Sequence, residues 1–183
     1  MSEALDKGIS RYSLYKLRDK GIIESVTRGF YRLADLPSIS DPDLVTVSLR
    51  YPKSVVCLIS ALSFYNITTQ IPHEVHVAIS HKSRKPSLDW PPTRSYKFSD
   101  ASFSAGITEH NIDGVNVRVY SAEKTLADCF KFRNKVGKDV LLEALKFYKS
   151  RMRWDLDKLW EYGKICRVKK IMLPYLEAIF FPE

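Results

Sequence analysis

The apolar residues of this chain keep a helical spacing at its two ends and an alternating one in its middle. Near the start, "SRYSLYKLRDKG" sets Leu14 and Leu17 three apart, on one side of a helix predicted over Arg11–Lys20. Ser10 is placed to cap that helix, and Gly21 to leave it in the left-handed conformation. "IIESV" and "GFYRL" then flank Thr27-Arg28 as two short strands, with Gly29 supporting the turn. "ADLPSISDPD" clusters Pro, Ser and Asp and reads as a linker. Asp41 and Pro42 open a further helix towards Arg50, which Pro52 stops.

The middle changes rhythm. "SVVCLISALSFYNI" is apolar throughout and predicts a buried strand running into a helix. "HEVHVAIS" alternates and is β-branched. "HKSRKPSLDWPPTR" carries three prolines and four basic residues and predicts an exposed arm. "SYKFSD", "ASFSAGITEH" and "VNVRVYS" are strand-like, with Asp113-Gly114 a hairpin turn.

From Ser121 the helical spacing returns. Leu126 and Phe130 mark one face of a helix over 122–134, Gly137 ends it, and Asp139 begins another over 139–150. Asp155 caps a helix over 155–165. In the last, over 167–180, Val168, Met172, Tyr175 and Ile179 share a face with Lys169 and Lys170 opposite, and Pro174 predicts a kink or a split. The whole predicts an α+β chain in two parts. Residues 1–36 form an abbreviated winged helix-turn-helix. Residues 37–183 form a mixed domain with a small, mainly antiparallel sheet and a C-terminal helical bundle. Within the first part, Ala4 is small enough for two helices to cross, Gly8 can take the turn, and Leu14 plugs the shared core. A winged helix usually has one more helix in front, and only seven residues precede Gly8. Either the native N-terminus lies upstream of Met1, or the Asp41–Arg50 helix covers the exposed side. The second is the expectation for the chain as it stands.

Charge adds a partner to this picture. Residues 1–33 carry a net +3, residues 34–123 a net −1 and residues 124–183 a net +6. Two basic ends around a neutral middle suit a polyanion, with plain solubilising charge as the alternative. No apolar run approaches the roughly 20 residues of a membrane span. The opening is too polar for a signal peptide. Cys57, Cys129 and Cys166 are odd in number and far apart, which suits reduced, buried thiols and a cytoplasmic protein.

With Leu14 and Leu17 inward, a 100° step turns Tyr12, Tyr15, Lys16 and Asp19 outward, with Arg11 at the amino end. That end of a recognition helix reaches base edges in the major groove. Arg11 suits guanine, the tyrosines suit phosphates or thymine methyls, and Arg28 at the wing tip suits a phosphate or the minor groove. The other reading of this unit is a winged helix that docks on protein. A second set of cations forms a basic patch for nucleic acid or a protein partner: Lys82, Arg84 and Lys85 on the arm, Lys131, Arg133 and Lys135 after the 122–134 helix, and Lys169 and Lys170. Lys124, Asp128 and Lys131 read as solvated i,i+4 and i,i+3 pairs.

Catalytic readings find little support. "HEVH" is not H-E-x-x-H, and His73 and His76 on a strand would face opposite ways. Glu74, Glu109 and Glu123 stand apart, and no phosphate-cradling glycine run or nucleophile elbow is present. The expectation is a non-enzyme without cofactor or metal.

"GISRYSLYKLRDKGIIESVTRGFYRL", "LISALSFYNITTQIPHEVHVAI", "VYSAEKTLADCFKFRNKVG", "EALKFY" and "LPYLEAI" together resemble the AbiEi-type antitoxins of type IV (abortive infection) toxin–antitoxin systems. The opening segment would fit many regulators, and the later ones carry the resemblance best. The resemblance implies an N-terminal winged helix that binds inverted repeats in the operon's own promoter and represses it. It implies a C-terminal domain that counteracts a nucleotidyltransferase-like toxin, with or without a stable complex. By the same resemblance Arg11, Tyr12, Tyr15, Lys16 and Arg28 fall on the DNA-reading helix and wing, and no catalytic residue is carried over.

Overall fold

The computed structural model describes residues 6–181. The first helix, α1 (Arg11–Asp19), starts where Ser10 accepts a bond from Ser13 N at 3.1 Å and ends at Gly21, whose φ is +70°. β1 (Ile23–Thr27) and β2 (Phe30–Leu33) form an antiparallel two-stranded sheet around the Arg28-Gly29 turn. Gly8 holds φ +80°, the left-handed turn expected there. Ala4, assigned to the helix crossing, lies outside the described residues.

α2 (Pro42–Arg50) begins with Asp41 capping Leu44 N and Pro42 at the first position. It is buried over Leu44–Ser48, because it is sandwiched. Leu44 and Val47 pack on the larger sheet. Val45 and Leu49 line an apolar groove of about 390 Å³ together with Val26, Phe30 and Tyr31 of the small sheet. The expected cover for the N-terminal unit thus meets it at the small sheet. The linker is also fastened. Arg32 Nη1 donates to Pro37 O, and Asp113 accepts both Ser40 N and Ser40 Oγ at 2.8 Å, which holds its carboxyl below the usual range.

The larger sheet has five strands in the order β5-β4-β3-β7-β6: β3 (Val55–Val56), β4 (Val75–Ser80), β5 (Thr93–Phe98), β6 (Ile107–Ile112) and β7 (Val115–Tyr120). The β6–β7 hairpin is antiparallel, and its turn puts both Asp113 (φ +49°) and Gly114 (φ +84°) in the left-handed region. The sheet as a whole is mixed, not mainly antiparallel: β3–β7 and β4–β5 run parallel. The chain between β4 and β5 returns along the arm and so re-enters in the same direction. β3 is only two residues long before α3 (Leu58–Phe64) continues from it. Leu58 and Leu62 join one core and Ala61 the other. "ASFS", expected in a strand, is instead the short helix α4 (Asp100–Ser104).

One face of the sheet carries α2. The other is covered by α5 (Ala122–Lys131), the single turn α6 (Arg133–Val136), α7 (Lys138–Arg151), α8 (Leu156–Ile165) and α9 (Lys169–Phe180). α9 buries Met172, Leu176 and Phe180, Val168 is buried just before it, and Tyr175 and Ile179 are half-buried beside them. Pro174 does not split α9. It sits on the exposed side, where the carbonyl it leaves free can meet water. Cys57, Cys129 and Cys166 are free and buried.

The core holds one arrangement that spacing alone did not reveal. Lys124 and Asp128, expected on a solvated face, are both fully buried, with Nζ 2.6 Å from Oδ2. The ammonium lies 4.1 Å from the Tyr120 ring centroid and 5.0 Å from that of Phe98. The Cys166 thiol donates to the other carboxylate oxygen at 3.2 Å. Burial pushes the Asp128 carboxyl upward, while Lys124 and Cys166 oppose that by stabilising the carboxylate. Gly106 makes room: a Cβ there would come within 2.7 Å of Lys124 Cβ, and its φ is +70°.

Candidate nucleic-acid interface

α1 turns its faces as its spacing requires. Leu14 is buried and Leu17 half-buried, while Arg11, Tyr12, Tyr15, Lys16 and Asp19 are exposed. Tyr12 is 75% exposed and Tyr15 41%. Arg18, absent from the sequence-based set, bonds Asp19 at 2.8 Å and lies 5.1 Å over the Tyr15 ring. It therefore neutralises the outward carboxylate and steadies one of the two tyrosines, an arrangement that favours an anionic partner. Arg28 is exposed at the turn of the small sheet.

The turn of the small sheet does not stand free. Arg50 Nη1 donates to Arg28 O at 3.2 Å, so the last residue of α2 grips the turn. Beside it, Arg50, Lys53 and Arg84 line one cleft together with Tyr51, Ser54 and Ile79. β3 and β4 pair antiparallel with Val55 opposite Ala78, which brings the residues before β3 and after β4 to the same end of the sheet. Of the three arm cations, Arg84 thus shares a cleft with Arg50, the residue that bonds the turn. Lys85 is exposed, and Lys82 pairs with Asp100 at 3.6 Å. Arg50 and Lys53 were missed because only this register brings them to the arm.

The other predicted cations are held on separate supports. Lys131 Nζ lies 5.5 Å over Phe98 and Lys135 Nζ 5.5 Å over Tyr96, both beside Phe132. Arg133 is half-buried and donates to Phe130 O, completing the end of α5. Lys169 stands over Trp160 at 5.5 Å, and Lys170 is exposed.

The carboxylates set aside in the sequence remain apart. Glu74 bonds Arg94 at 3.0 Å, Glu109 accepts Asn116 Nδ2, and Glu123 accepts the Tyr148 hydroxyl at 2.8 Å. His73 precedes β4 and is exposed, whereas His76 is buried within it. Among the described residues no three His, Cys, Asp or Glu side chains converge as a metal site, and no helix is long and apolar enough to cross a membrane.

The model of a protein family described as "Transcriptional regulator, AbiEi antitoxin" matches residues 1–34. The resemblance to that family therefore holds for α1 and the small sheet. No curated protein matches the chain.

Proposed function

We propose that the chain is a DNA-binding regulator of winged-helix type that serves as the antitoxin of a type IV toxin–antitoxin pair in the cytoplasm. In this reading α1 enters the major groove, β1–β2 is the wing, and Arg11, Tyr12, Tyr15, Lys16 and Arg28 make the contacts. The C-terminal part counteracts a nucleotidyltransferase-like toxin without being an enzyme itself. One observation carries the reading: the residues that match the family are those in which a capped helix turns three cations and two tyrosines to solvent with Leu14 inward.

A mobility shift with the DNA upstream of the reading frame tests it. Arg11→Ala and Lys16→Ala should each weaken binding by about tenfold, and loss of a phosphate contact should reduce the salt slope by about 1. Unchanged binding at several salt concentrations would remove α1 from the interface. Deleting residues 1–36 should abolish repression and spare toxin neutralisation. Loss of both would mean that the two parts do not act separately.

A protein-docking role is the second reading. Ile22, Leu33 and Leu36 are about half exposed on the small sheet and the chain after it, an apolar surface of the kind that partners cover. No shift with promoter DNA, together with loss of toxin neutralisation on deleting residues 1–36, would favour this reading.

A further inference from the structure

We infer that the cleft behind the wing tip is a nucleotide site: it takes a free nucleoside phosphate, with the phosphates on Arg50, Lys53 and Arg84 and the base on an apolar floor. The cleft holds about 330 Å³, and the residues lining it include three cations and no carboxylate. That volume is at the lower end of small-ligand pockets, about 300–1,000 Å³. Pro52, Ile79 and Pro86 add apolar side chains to the lining, which a phosphodiester alone would not need.

The walls are built before any ligand arrives. The Tyr51 hydroxyl donates to Ser87 O and accepts from Ser87 N, both at 2.8 Å, which pins the arm carrying Arg84. Ser54 N and Ser54 Oγ both donate to Tyr51 O at 2.8 Å, closing the turn that carries Lys53. These bonds, with Arg118 Nη1 donating to Lys53 O at 3.1 Å, also mask carbonyls near the carboxyl end of α2 that would otherwise repel an anion. Lys53 and Arg84 make no ion pair among the described residues, so their charge is not already spent. Arg50 has five N–H donors, and one of them grips Arg28 O. A phosphate on Arg50 therefore sits one side chain away from the wing-tip backbone. Occupancy of the cleft couples to the wing through that guanidinium.

The test is titration of the full chain with a fluorescent ATP analogue, followed by competition with ATP, tripolyphosphate and adenosine. The expected order is ATP best, tripolyphosphate weaker and adenosine without effect. Arg84→Glu and Lys53→Glu, both exposed and checked for folding by circular dichroism, should each weaken the analogue by about tenfold or more. Lys146→Glu, an equal charge change on the exposed side of α7, should leave it unchanged. No saturation at millimolar analogue, an equal loss in Lys146→Glu, or binding by the three cations to duplex DNA alone would overturn the proposal. The last result would still leave the DNA-binding reading intact, and a failed promoter shift would leave the titration unaffected.

Discussion

Residues 6–36 and the part that follows them are held together in different ways. In the first, Leu14 is the one buried side chain among the described residues. In the second, five consecutive residues of α2 are buried, and the sheet has cores on both faces. A two-stranded sheet with one helix buries too little apolar surface to be stable alone. The N-terminal unit relies on its fastenings: Val45 and Leu49 under the small sheet, Arg50 on the turn, and Arg32 and Asp113 on the linker. The C-terminal part buries enough to enclose an ion pair. The outward side chains of α1 are thus left in water, with their placement supplied from behind.

The largest effect should come from the buried pair. Lys124→Ala or Asp128→Ala leaves one charge without its partner in the core, which costs about 3–5 kcal/mol. Urea denaturation followed by near-UV circular dichroism measures it. Replacing both, Lys124→Met with Asp128→Leu, should recover most of the loss, because the penalty belongs to the unpaired charge. Single variants that cost under about 1 kcal/mol would mean that water reaches the site, and the contrast between the two parts would shrink.

Next in size is Leu14→Ala, with a local cost of about 2–3 kcal/mol. Hydrogen exchange should show amides of 11–33 losing protection while those of 117–130 keep theirs. Equal loss in both would mean that the two parts unfold as one. Arg50→Met is smaller again, about 1 kcal/mol for the bond to Arg28 O, and should raise exchange at the wing tip and nowhere in the larger sheet.

Local rules made much of this fold legible. Ser10, Asp41 with Pro42, Asp113-Gly114 and Asp155 each mark a cap or turn that the structure adopts, because capping and left-handed turns depend on a few adjacent atoms. Tertiary placement was not legible. An i,i+4 Lys–Asp pair has the same spacing in water as in a core, so Lys124 and Asp128 read as surface residues. Strand direction depends on how a loop returns, which left the parallel β4–β5 pairing unseen. In α9 the buried set, with Leu176 and Phe180, lies one step round the helix from Tyr175 and Ile179, a shift that the apolar spacing of "IMLPYLEAIF" does not decide. In the candidate interface, the outward residues of α1 followed from its period alone, while Arg50 and Lys53 needed the β3–β4 register to meet Arg84. The family match fell on the opening segment, which the sequence ranked as the least distinctive.

The smallest effect separates the two parts by pH. His76 is buried in β4, and its Nδ1 has no hydrogen-bond partner. Its Nε2 lies 3.3 Å from Glu74 Oε1, the carboxylate that Arg94 also holds, and its ring stands 5.3 Å from Tyr96. Burial lowers its pKa below the ordinary 6.5; Glu74 pulls it back only in part, and Arg94 adds to the lowering. A histidine with a depressed folded-state pKa contributes stability that is complete above the unfolded value. That contribution is lost as pH falls through the folded value. The melting temperature should therefore drop as pH falls below about 6.5, and His76→Gln should flatten that slope while keeping a side chain of similar reach. Exchange at Val75–Ile79 should rise with acid while α1 stays unchanged, since no titratable side chain is buried between residues 6 and 36. If acid loosened α1 to the same degree, the fastenings at the wing would be strong enough to make the two parts one cooperative unit.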